Sequence, residues 1–221
     1  MDINKQFEDF LGINTEDENL IATIDKEKSY TQSGHIIDYS VYEATNYRDL
    51  VKIFDELHLT TYDTLVDFGC GLGRVLFYCN HKYLCNVTGV EYDQSVYDSL
   101  VENAEAYHKR FQGQRKKFSL LKMKAEEYVV EARDNYFYMF NPFSMEILEK
   151  VMDNIIESWK KSPREITLII YYCTYDIINT LRGYKELKLH KIIKLPGYDE
   201  DPDEKVYIYN LEKNKRVSPE S

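Results

Sequence analysis

Thr64-Leu65-Val66-Asp67-Phe68-Gly69-Cys70-Gly71-Leu72-Gly73-Arg74-Val75-Leu76 is the stretch that decides how this chain folds. Thr64 to Phe68 is a short apolar run of strand-forming residues, interrupted only by Asp67. Glycines at the alternate positions 69, 71 and 73 let the main chain turn tightly, take positive φ and approach a ligand with no Cβ in the way. Arg74 to Tyr83 then reads as a helix whose N-terminus is aimed at that ligand.

The spacing separates this turn from other glycine loops. A dinucleotide fingerprint, G-x-G-x-x-G, would need its third glycine at position 74, where the chain has Arg74. A phosphate loop would need Gly-Lys-Ser/Thr, which the turn lacks. What stands is D-x-G-x-G-x-G, followed by Glu91 at the end of the next strand-like run, Asn86 to Val90. This pattern resembles motif I and the following acidic position of the class I S-adenosylmethionine-dependent methyltransferases.

The resemblance implies an α/β fold: a Rossmann-like, seven-stranded, mostly parallel sheet with helices on both faces, its last strand antiparallel, plus an N-terminal helical extension. It covers about Leu65 to Leu211. S-adenosylmethionine, which leaves S-adenosylhomocysteine as product, carries no phosphate, so its site needs close main-chain approach and carboxylates. The resemblance places Asp67, Phe68, Gly69, Cys70, Gly71 and Gly73 at the cofactor, Asp67 near its amino group. Glu91 would accept hydrogen bonds from the ribose hydroxyls, with Tyr92 beside it. Where the family usually has Asp-Ala at the adenine, this chain has Lys124-Ala125, which leaves Glu126 or main-chain amides for that contact.

The expected organisation is residues 1–60 as an N-terminal helical extension and candidate lid, 61–212 as the methyltransferase core, and 213–221 as a flexible tail. In the extension, Ile3, Phe7, Phe10 and Leu11 suggest one face of a short helix, and an amphipathic helix follows from Tyr47 to Leu57. Tyr42, Thr45 and Tyr47 are candidates for the cofactor's methionine end, with aromatic packing of the helix entrance as the alternative. His35 is the histidine a lid would bring to the site.

Tyr136 to Phe140 reads as a strand ending in Asn141-Pro142-Phe143-Ser144, at the edge where open parallel sheets gather ligands. This looks like a shortened form of the Asn-Pro-Pro-Tyr motif of amide and adenine N-methyltransferases, lacking the second proline. The resemblance gives Asn141 the role of accepting hydrogen bonds from a target nitrogen, on the cofactor side as well as the acceptor side. Pro142 would shape the turn and Phe143 would stack on a planar substrate. A plain strand-ending turn is the alternative. Tyr171 and Tyr172, ending the strand Glu165 to Tyr172, face the same mouth, and Lys185 to Leu195 with Lys205 to Leu211 form a closing hairpin.

Composition narrows the function. With 28 Lys and Arg against 38 Asp and Glu, the chain carries a formal charge of −10. Bulk nucleic acid is therefore a poor partner, because counterion release needs a basic surface. The local basic run His108 to Lys124 reads as a solvated face. The acceptor is expected to be a protein or a small molecule, and the protein a monomer or homodimer. No apolar run is long enough to span a bilayer, and the N-terminus lacks a signal-peptide pattern, so a cytoplasmic protein is expected. Four cysteines without C-x-x-C spacing suggest reduced core residues and no metal site. Two further readings stay open: a catalytically silent cofactor-binding subunit, and dinucleotide binding.

Overall fold

The computed structural model describes residues 2–16, 43–141 and 144–213, apart from the side chains of residues 115 and 116. Strands β1 (Thr64–Phe68), β2 (Asn86–Glu91), β3 (Phe118–Lys122), β4 (Tyr136–Phe140), β5 (Ile166–Tyr171), β6 (Lys188–Lys194) and β7 (Lys205–Leu211) form one sheet. Its order is β3-β2-β1-β4-β5-β7-β6. The first five strands in that order pair in parallel, and β7 runs antiparallel to both neighbours. The expected Rossmann-like seven-stranded fold is the one observed.

The helices are α1 (Ile3–Leu11), α2 (Tyr47–Asp55), α3 (Arg74–Tyr83), α4 (Gln94–Arg110), α5 (Met145–Lys161) and α6 (Tyr175–Arg182). Strand alternation sorts the core into two layers. Leu65, Tyr138, Ile169 and Ile208 point into the layer that holds α1 to α4. Val66, Phe68, Phe137, Met139, Leu168 and Ile170 point into the layer that holds α5 and α6. The order reverses at β1, whose neighbours are β2 and β4, and the carboxyl ends of these strands carry the candidate site.

Two elements differ from the sequence expectation. The inner face of α1 is Asn4, Glu8 and Leu11, while Ile3 and Phe10 are 43% and 49% exposed. A polar face turns inward there because a buried cation awaits it. Helix α6 escaped the pattern reading because only Ile177 and Leu181 are buried along its eight residues, too few to make a stripe.

The turn after β1 takes φ of 73° at Gly69, 54° at Gly71 and 90° at Gly73. Two main-chain amides, Gly69 and Cys70, bond the Val90 carbonyl of β2 at 2.9 and 3.1 Å. Gly73 leads into α3 under a tight ceiling: a Cβ there would lie 2.6 Å from Leu100 Cδ1 and 2.7 Å from Phe77 Cε2. Gly73→Ala therefore meets both a left-handed backbone and a full core. Its expected cost is about 2–4 kcal/mol, read as a lower urea midpoint with unchanged slope.

Candidate active site

The site is built from three strand ends. From β1 comes Asp67, on the same face as Leu65 and only 3% exposed. No donor among the described residues bonds its carboxylate, and its pKa is raised well above the usual carboxylate range by burial and, second, by the charge of Glu91.

From β2 comes Glu91, half-buried. Its Oε2 accepts from the Gly71 amide at 3.0 Å and its Oε1 from the Asp93 amide at 2.8 Å. Burial raises its pKa, and the amides of Asp93, Gly71 and Tyr92 oppose that rise. A carboxylate has about four acceptor positions, so the two amides fix the group without exhausting it. Tyr92 beside it is 47% exposed, with Lys124 Nζ 5.7 Å above its ring. Phe68 and Cys70 are buried, Phe68 stacking on Phe137 and meeting Tyr128 edge to face. Burial pushes the Cys70 thiol up, as it does Cys79 and, to about 12, Cys85 and Cys173, and all four cysteines are free and buried.

From β4 comes Asn141, exposed, in a left-handed conformation with φ 39°, its amide bonding the Tyr171 carbonyl at 3.0 Å. Phe140 stacks on Tyr171 with ring centres 4.3 Å apart. Tyr171 and Tyr172 donate to Glu204 and Asp201, so the loop before β7 joins the mouth. Beneath them lies Asp49 of α2, 4% exposed, its Oδ1 without a hydrogen bond. Burial and then Glu204 raise its pKa.

Not every expected residue reaches the crevice. Tyr47 is fully buried, stacked on Phe7 at 4.6 Å, with the Arg74 guanidinium 5.0 Å from its ring centre, so it is a core residue. Thr45 is buried and shares a 2.7 Å hydrogen bond with Tyr138. Glu126 sits on the short 3-10 turn Ala125–Glu127, along a groove between that turn and α5, and its carbonyl accepts from Asn154. Tyr42, Pro142, Phe143, His35 and the middle of the proposed lid lie outside the described residues. The sequence reading passed over Asp49, Tyr138 and Glu204. The signal for Asp49 was an acid inside the apolar stripe of α2.

The residues present fit an adenosyl cofactor. An unbonded buried carboxylate and a second with spare acceptor capacity flank a main-chain turn with three positive-φ glycines. Among the described residues no group of three or more His, Cys, Asp or Glu stands at metal-binding distance. No described helix is long and apolar enough to cross a membrane.

Comparison with known proteins agrees with this geometry. Residues 21–139, more than half of the chain, match the family model described as "Histone methylation protein DOT1". None of the curated proteins compared matches. Among solved structures, the chain is similar to an RNA methyltransferase from Salinibacter ruber in complex with S-adenosyl-L-homocysteine. That pair shares 12% identity over 81% of this chain and 100% of the other, with a TM-score of 0.60. It is also similar to geranyl diphosphate C-methyltransferase from Streptomyces coelicolor A3(2), at 11% identity over 76% of each chain, TM-score 0.54. At such identities the likeness shows a shared fold, and the two printed acceptors differ from each other.

The raised pKa of Asp67 sets a direction for stability. An unfolded Asp releases its proton near pH about 4, while folded Asp67 holds its proton to higher pH. Between those values the folded state binds more protons, so stability falls as pH rises and stays lower above the folded value. Asp67→Asn should match the parent at acid pH and gain on it through that window. Urea midpoints from pH 4 to 8 read this out, and parallel curves would contradict an uncompensated carboxyl.

Proposed function

The chain belongs to the family of the histone methylation protein DOT1, within the class I S-adenosylmethionine-dependent methyltransferases, and from that premise we propose that it methylates a nitrogen held near Asn141. The observation that carries the cofactor side is the buried Asp67 carboxylate, bonded by none of the described residues, beside Glu91 at the glycine turn. When bound, S-adenosylmethionine supplies a methyl group made electrophilic by the neighbouring sulfonium.

Each group of the chain then has a defined task. Gly69 to Gly73 give the cofactor main chain without side-chain interference. Asp67 meets the amino group, and Glu91 takes the ribose hydroxyls with its remaining lone pairs. Asn141 offers a side-chain oxygen and a main-chain carbonyl, acceptors that would turn a nitrogen's lone pair toward the methyl. Held in line, such a nucleophile gains most of its rate from orientation.

Two features support nitrogen. Glu204 places a carboxylate at the mouth with buried Asp49 beneath it, and Phe140 with Tyr171 supplies stacked aromatic rings. Carboxylates and ring faces both favour an acceptor that arrives as a cation and loses its proton on the way to reaction. The chain's acidity argues for a protein side chain or a small amine over bulk nucleic acid.

The test has two arms. Calorimetry with S-adenosylhomocysteine should show Asp67→Ala and Glu91→Ala each binding at least about tenfold more weakly, the size of one lost charge-assisted hydrogen bond. Equal binding by both would remove the cofactor reading. Incubation with S-adenosylmethionine and cell extract should yield S-adenosylhomocysteine, with Asn141→Ala lowering kcat by about ten- to a hundredfold while leaving cofactor affinity unchanged. A parent that binds but never turns over is a silent binding subunit.

A further inference from the structure

Arg74 is the first residue of α3 and lies 3% exposed, directly after the glycine turn. Its guanidinium reaches away from the sheet toward residues 2–16. Nε donates to Thr15 Oγ1 at 2.7 Å, and Nη2 to Glu8 Oε1 at 2.9 Å and Glu16 Oε1 at 2.8 Å. Nη1 donates to the Thr45 carbonyl at 3.2 Å. The Thr15 hydroxyl in turn bonds Glu8, and the Thr15 amide bonds the same carboxylate at 3.2 Å.

A second latch stands beside it. Asn103 of α4 accepts from the Asn14 amide at 2.9 Å and donates to the Asn14 carbonyl at 2.8 Å. The same Nδ2 donates to the carbonyl of Leu72, inside the glycine turn, at 3.2 Å. A third latch is Asn4, whose Oδ1 caps the Tyr47 amide of α2 at 3.0 Å and whose Nδ2 reaches Glu16 and Asn46.

We propose that residues 2–16 form a strap that sets the cofactor turn, with Arg74 and Asn103 as positioning residues. The inference rests on the cofactor reading above and extends it to groups that touch neither cofactor nor acceptor. Glycines leave the turn with more conformational freedom than any other sequence would. Val90 and Glu91 fix its first half through the Gly69, Cys70 and Gly71 amides. Its second half, Leu72 to Arg74, is fixed through the two strap latches. Arg74 also ties the turn to Thr45, whose hydroxyl bonds Tyr138 three residues before Asn141. Arg74 thus joins the strap and the cofactor turn to the strand that leads to the acceptor end.

Coupling of this kind is reciprocal: if a docked strap strengthens cofactor binding, bound cofactor must stabilise the docked strap by the same factor. The experiment uses the full chain with S-adenosylhomocysteine as probe. Parent, Arg74→Met, Arg74→Lys and Asn103→Ala are compared by calorimetry, with circular dichroism confirming folding. Hydrogen exchange at the Asn14 and Thr15 amides is followed with and without the probe. Arg74→Met and Asn103→Ala should bind at least tenfold more weakly, with Arg74→Lys recovering part of the loss. In the parent, the probe should slow exchange at both amides.

Folded variants that bind within twofold of the parent, or parent amides indifferent to the probe, would overturn the strap. Should Arg74→Met fail to fold, Asn103→Ala and the parent's own exchange decide the matter. A parent that binds no probe removes the cofactor reading itself. A parent that binds, with Glu91→Ala impaired and the strap variants normal, removes the strap alone.

Discussion

Everything at the centre of this fold follows from burying the carboxylate of Asp67 at the end of β1, next to that of Glu91, with no cation among the described residues to neutralise it. A buried, unpaired charge is among the most expensive groups a protein can hold. The chain answers partly with main-chain dipoles: the Gly71 and Asp93 amides converge on Glu91. Asp67 receives none of these, and burial holds its pKa up instead. Marginal stability spent at a site of this kind is the usual trade between stability and function.

The sheet around that point is shaped to let the turn come close. Gly89 sits opposite Asp67 in the β1–β2 register. A Cβ at Gly89 would lie 2.5 Å from Leu76 Cδ1 and 2.8 Å from Cys70 Sγ. The strand glycine therefore makes room for the turn and for the first turn of α3 to lie on the sheet. Around it, two apolar layers divided by strict strand alternation hold the frame: Phe137 and Met139 pack on one face of β4, and Tyr138 on the other. Burial on both faces explains the nearly continuous apolar runs of β4 and β5.

That continuity is why the strands and the turn were legible in the sequence. The β1 run, the alternate glycines and Glu91 are local patterns, each readable within about 30 residues. The pairs that meet only through tertiary structure were not. Arg74 served in the sequence to exclude a dinucleotide fingerprint and to begin a helix, and its buried role was hidden because its partners Glu8 and Glu16 lie 66 and 58 positions earlier. Read alone, α1 offered Phe7, Phe10 and Leu11 as its inner face, whereas Glu8 goes inside because Arg74 is there to receive it. Tyr47 was drawn toward the site by its position before the motif, yet Phe7 and Tyr78 complete an aromatic cluster around it.

The acceptor side is built by a different device from the cofactor side. Glycine supplies the left-handed conformations of the cofactor turn at little steric cost. At the mouth, Asn141 and Tyr172 adopt φ of 39° and 57° while keeping their side chains. For residues other than glycine that conformation costs about 1 kcal/mol or more. The Asn141 amide bonds the Tyr171 carbonyl, extending the β4–β5 ladder by one residue before both chains peel away. The Tyr172 hydroxyl is then carried to Asp201 at 2.6 Å. Glycine would satisfy the backbone at both positions more cheaply, so the strain is sustained for what the two side chains do. The strand end thus carries an amide and a phenol through strained backbone beside the acids of the β6–β7 loop, and strain of this kind gathers at functional sites.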